Sequence, residues 1–131
     1  MPQAIEEALR WETPLLTVAR VATEDTELGG VSIPGGATIV VSLGAANRDP
    51  GRYRHPDSFD IFREPVQHIS FGDGPHKCLG MHLARLETRV LLNAVLDRLD
   101  HLRLDPAAED PHIHGLIFRS PPSLPVQFDP A

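Results

Sequence analysis

The stretch FGDGPHKCLG, Phe71 to Gly80, holds the single cysteine of the 131-residue chain, set among glycines, a proline and a histidine. A cysteine that only fills a core cavity sits among small apolar neighbours in a regular strand or helix. Cys78 does not. Gly72, Gly74 and Pro75 break any ladder before it, and LGMHLARLETRVLLNAVLDRL after it reads as a long helix. The thiol therefore stands at a loop-to-helix junction. There the first free amide N–H groups and the positive end of the helix dipole point back at the sulfur and stabilise negative charge on it. A thiolate so placed can serve as a nucleophile, a zinc ligand or an axial ligand to haem iron. His76-x-Cys78-x-x-x-His82 falls short of a zinc site because it supplies no fourth ligand. A catalytic thiol needs a base, and His76, two residues away in a glycine loop, has no defined direction.

The elements that must hold this loop can be read from periodicity. PQAIEEALRWE, residues 2–12, puts Ile5 and Leu9 on one face behind Pro2 and predicts a short helix. Residues 15–41 carry β-branched runs (TVARVAT, VSI, ATIVVSL) separated by Gly29-Gly30 and Pro34-Gly35-Gly36, the pattern of small antiparallel strands with tight turns. Residues 44–70 are polar, proline-punctuated and aperiodic, which predicts a long ordered loop with at most a turn of helix. The long helix is expected from about Leu79 to Leu99. HLRLD, HIHGLIF and LPVQF then read as three short strands. The expected class is α+β, in one small domain over residues 1–131.

Charge and composition narrow the partners. Twelve basic against 18 acidic side chains give a net charge of −6, against a nucleic-acid or anionic-membrane surface. One cysteine excludes an internal disulfide framework, and MPQAIEEALR lacks the apolar core of a signal peptide, so a cytoplasmic location is expected. His112 and His114 lie in a turn-rich segment and are read as unligated and solvent-facing, as are His55, His68, His82 and His101. The long helix carries one apolar row at Leu83, Leu86, Val90 and Ala94 and another at Leu92, Leu96 and Leu99. Little else in the chain can cover so wide a stripe, which points to a piece of something larger or to a homo-oligomer through exposed helix faces.

Phe71-x-x-Gly74-x-His76-x-Cys78-x-Gly80 followed by MHLARLE resembles the haem-binding signature of the cytochrome P-450 family in its bacterial form. The resemblance implies Cys78 as the proximal thiolate ligand of haem b, with Phe71 against the sulfur. It also implies that Gly72, Gly74 and Gly80 admit backbone amides close to the ligand and that His76 bonds a haem propionate. A thiolate donates electron density to iron, and nearby amides moderate that donation. Glu7-x-x-Arg10 resembles the family's Glu-x-x-Arg pair, whose role is structural, with Arg63 of FDIFR as the third member. Ser58 stands where many relatives outside bacteria carry an arginine. By the same resemblance Arg20 bonds a propionate, and Pro14, Leu15, Leu16, Ile117 and Phe118 fall where relatives line the substrate pocket.

The resemblance covers nearly all of residues 2–128 but only the carboxyl-terminal part of the family's fold. The long central helix with its acid-alcohol pair and the lid helices are not in the sequence. The expectation is therefore a truncated haem-thiolate oxidoreductase of the monooxygenase type, needing further parts to act on a small organic substrate with a ferredoxin or flavin-type electron donor. Two alternatives stand beside it. One is a free-standing or oligomeric haem-binding module with at most peroxidase-like or electron-transfer activity. The other is a haem-free structural remnant.

Overall fold

The computed structural model describes residues 2–130. Helix α1 spans Pro2–Trp11, and strands β1 (Thr17–Val21), β2 (Thr26–Leu28), β3 (Val31–Ile33) and β4 (Thr38–Ser42) follow. A four-residue helix α2 (Leu43–Ala46), a single 3-10 turn at Gly74–His76, helix α3 (Met81–Arg98) and strands β5 (Leu99–Leu104) and β6 (Val126–Pro130) complete it. Three two-stranded antiparallel sheets result: β1 with β4, β2 with β3, and β5 with β6. The mixed helix and small-sheet class matches the sequence expectation. Among the described residues no helix is long and apolar enough to cross a membrane.

Turn chemistry explains the sheets. Leu28 pairs with Val31 across Gly29 and Gly30, whose φ values of 60° and 80° give the two left-handed central positions of a twist-matched hairpin turn. β1 and β4 enclose this hairpin, from Thr17 opposite Ser42 to Val21 opposite Thr38. One strand expectation fails. HIHGLIF forms only two isolated bridges, Leu15 with Phe118 and His114 with Ser120. Its chain folds back at Gly115, where φ is 106° and a Cβ would come within 1.8 Å of the Phe118 carbonyl oxygen, so the segment cannot stay extended.

The loop from Asn47 to Asp73 has no helix or strand, yet many of its backbone carbonyls find side-chain donors, from α1 and from the loop itself. Arg10 donates to the carbonyls of Asn47, Pro56 and Ser58 at 2.8–3.0 Å. Arg63 donates to those of Arg54, His55 and Ser58, and the Tyr53 hydroxyl donates to Gln67 at 3.0 Å. The most buried side chains are correspondingly polar: Arg10, Tyr53 and Asn47. Asn47 Nδ2 donates to the hydroxyls of Thr13 and Ser70, each at 2.8 Å, while its Oδ1 accepts from the Ile69 amide.

The apolar side chains lie outside. Leu83, Val90, Leu91 and Leu96 of α3 are all more than half exposed, and α3 has no fully buried residue. The accessible surface is 9662 Å², where a folded monomer of this length is expected to show about 6,800 Å².

Candidate functional site

Cys78 is held by backbone geometry on both sides. Gly72 and Gly74 take φ values of 70° and 74°, the left-handed region that glycine enters without strain. These turns bring the Cys78 amide back to the Phe71 carbonyl at 2.8 Å, and Gly72 N–H to Ile69 at 2.7 Å. Lys77 N–H closes the 3-10 turn onto Gly74 at 3.1 Å. Gly80 then caps α3, with φ −82°. The thiol is exposed, and so is Leu79 after it, at 99 %. The sulfur is not packed into an aliphatic core.

Phe71 is half-buried, with the Arg85 guanidinium 4.6 Å from its ring centre. Arg85 also grips Glu6 with two bonds, Nε to Oε1 at 2.6 Å and Nη2 to Oε2 at 2.7 Å. These bonds hold the Glu6 carboxyl below its ordinary range, against burial, which pushes it up, and raise Arg85. His68 Nε2 lies 3.0 Å from Glu6 Oε2, and His68 Nδ1 accepts from the Ser70 amide, so Nε2 carries the proton. Burial pushes His68 below its usual range, and the Glu6 carboxylate offsets only part of this. The solvent-facing expectation for His68 is therefore corrected: its side chain is 5 % exposed.

Glu7, Arg10 and Arg63 converge. Glu7 accepts from Arg10 Nε and Nη2, both at 2.8 Å, from Arg63 Nε at 3.2 Å and from the Asp60 amide at 2.9 Å. Burial acts against the carboxylate, but these donors outweigh it and hold Glu7 at about 2. The helix is thereby pinned to the loop that leads to Cys78.

The remaining predicted positions are more scattered. His76 is exposed at the end of the 3-10 turn, and Arg20 is exposed on β1, donating only to the Ala19 carbonyl at 2.8 Å. Leu15 and Leu16 meet Ile117 and Phe118 through the Leu15–Phe118 bridge and a Leu16 N–H bond to Ile117 at 2.7 Å. Among the described residues none of these four, nor Arg20, bonds to residues 71–80. Sequence reasoning missed Asn47, Glu6 and Arg85. Their side-chain hydrogen bonds span 22 to 79 residues, and only Arg85, inside the quoted MHLARLE, carried any local signal.

The family model for cytochrome P450 matches residues 1–127. The chain belongs to the cytochrome P450 family. It is 46% identical over 127 residues to the biotin biosynthesis cytochrome P450 of Bacillus subtilis, covering 96% of this chain and 32% of that protein. It is 43% identical over 130 residues to 6-deoxyerythronolide B hydroxylase of Saccharopolyspora erythraea, covering 98% and 32%. A crystal structure of P450BioI in complex with an acyl carrier protein ligated to hexadec-9Z-enoic acid superposes with a TM-score of 0.91. It is 46% identical, covering 98% of this chain and 33% of that one. The chain thus spans about a third of the length of these P450 relatives.

A haem, the cofactor this P450 family implies, suits the donors present. Among the described residues no three of His, Cys, Asp and Glu cluster closely enough to hold a metal ion. A lone exposed thiol therefore fits a metal whose other ligands come from its own macrocycle. At Gly80 a Cβ would meet nothing within 4 Å. The chain's own packing therefore does not require glycine there.

Proposed function

We propose that this chain forms the thiolate side of a haem-thiolate monooxygenase, with Cys78 as proximal ligand of a b-type haem. The observation that carries the reading is the exposed Cys78 thiol, fixed by its amide's 2.8 Å bond to Phe71 and placed two residues before the α3 cap. When bound, the haem supplies oxygen activation. The chain's own residues then have distinct tasks. Cys78 would bind the iron through its sulfur, from a position two residues before the α3 cap, where free helix amides favour negative charge. Gly72, Gly74 and Gly80 would let backbone amides come close to the sulfur, and the Phe71 ring would lie against it. His76 and Arg20, exposed and without carboxylate partners among the described residues, provide charge or hydrogen bonds for the two propionates. Glu7, Arg10 and Arg63 act structurally, holding the loop that ends at the ligand.

The exposed apolar surface supports the second half of the proposal, that catalysis needs further elements to cover these faces and exclude water from the reacting centre. Leu15, Leu16, Ile117 and Phe118 would contribute one wall of a pocket for a small organic substrate. The electron donor would be a ferredoxin or flavin-type protein, in a reducing cytoplasm that keeps the thiol free. The test is the reduced carbon monoxide spectrum of the haem-reconstituted protein. The long-wavelength band of thiolate ligation is expected, lost in Cys78→Ala and only weakened in His76→Ala. A Cys78→Ala variant that keeps the band would end the assignment.

A further inference from the structure

Helix α3 begins three residues after Cys78, and an ion pair ties its first turns to α1. No residue of α3 is fully buried, and Leu83, Leu86 and Val90 are each about half exposed. Arg85 supplies the tie, with its two bonds to Glu6 of α1 at 2.6 and 2.7 Å. The same guanidinium covers the Phe71 ring at 4.6 Å. His68 orients Glu6 from the other side at 3.0 Å and takes the Ser70 amide, one residue before Phe71, at 3.2 Å. The Phe71 carbonyl in turn holds the Cys78 amide at 2.8 Å. Contacts therefore run unbroken from Glu6 through Arg85 and Phe71 to Cys78.

We infer that the Glu6–Arg85 pair is a positioning device for the thiolate, fixing the Phe71 ring and carbonyl and so the direction in which Cys78 is presented. The inference rests on reading Cys78 as the haem ligand. Guanidinium suits the task because its planar fork meets both carboxylate oxygens while its face stays free to lie on a ring; an ammonium offers the charge alone. The pair is also about one-third exposed on each side. Such pairs add little to global stability, so its effect belongs to the local order of the cysteine loop.

Amide hydrogen exchange on the haem-free chain separates local from global effects. Arg85→Gln and Glu6→Gln are expected to speed exchange at the Cys78 amide about tenfold while the β1–β4 ladder is unchanged. Arg85→Lys should give an intermediate rate, and it carries the same measurement if Arg85→Gln does not fold. Arg48→Gln is the matched control: Arg48 also lies over a ring, Trp11 at 5.1 Å, and pairs with Asp57 at 3.1 Å, with no partner in residues 71–80. It should leave Cys78 exchange unchanged. In the haem-loaded protein, Arg85→Gln should move part of the carbon monoxide band from the thiolate to the neutral-thiol position. An unchanged Cys78 rate in Arg85→Gln, or equal acceleration of every amide, overturns the inference. Retention of the thiolate band in Cys78→Ala overturns instead the ligand reading beneath it and leaves the exchange result standing.

Discussion

Replacing Glu7 by glutamine removes the one carboxylate on which Arg10, Arg63 and the Asp60 amide converge, with almost no change of shape. The site is 5 % exposed, and its donors lie at 2.8 to 3.2 Å. They hold Glu7 at about 2 against an ordinary 4.5. At about 1.4 kcal/mol for each pH unit between these values, the ionised carboxylate contributes about 3 kcal/mol at neutral pH. The sign follows from proton binding. The native site binds its proton more weakly than the unfolded chain does, so the contribution is complete above about pH 4.5 and disappears as pH falls to about 2. Arg10 keeps its three carbonyl acceptors in the variant, which holds the loss near this value rather than at that of a bare buried charge. Urea denaturation followed by circular dichroism should find Glu7→Gln about 3 kcal/mol less stable at pH 7, with the gap narrowing to about 1 kcal/mol at pH 3. A gap that does not change with pH, or one below about 0.5 kcal/mol at pH 7, would show that the convergence is geometry without energetic weight.

Two further predictions test individual positions. His68 is held neutral by burial and faces Glu6, Arg85 and Arg10. Its contribution is present above its ordinary value of 6.5 and lost as pH falls below it. The wild-type thermal midpoint should therefore drop between pH 6.5 and 5.5 more than that of His68→Gln, and parallel curves for the two would refute this. Glycines 80 and 115 should behave oppositely. Gly115→Ala forces a Cβ onto the Phe118 carbonyl at φ 106° and should cost about 2 kcal/mol of stability. Gly80→Ala meets open space and should change the haem-free chain's stability by less than about 1 kcal/mol, while haem titration reveals weakened binding. Equal haem affinity in Gly80→Ala would count against a flat group beside that residue.

What the sequence discloses here is what lies close in the chain. The cysteine loop is legible because Gly72, Gly74 and Pro75 dictate local backbone geometry, and the β2–β3 turn because Gly29-Gly30 dictates its own. The helices are legible from their period, with α3 starting at Met81 rather than Leu79 because Gly80 serves as its cap. HIHGLIF misled because its β-branched and aromatic residues favour extension, while closure at Gly115 and the Leu15–Phe118 bridge decide otherwise. The Glu6–Arg85 and Asn47–Ser70 contacts join residues 79 and 23 positions apart, and no local pattern encodes such pairings.

The same contrast shows in which side chains this chain buries. Most small domains bury apolar side chains and leave arginines in water. Here Arg10, Asn47 and Glu7 are buried, and leucines and valines of α3, β1 and β4 face outward. A polar interior suits a part whose task is to hold a long irregular loop, since each carbonyl of that loop needs a donor and apolar residues offer none. Directional bonds also fix position more sharply than non-directional apolar contact. The apolar faces are left exposed. That division of labour explains why Phe71 can be anchored through its carbonyl to Cys78 and through its ring to Arg85 while the helix that follows buries none of its own residues.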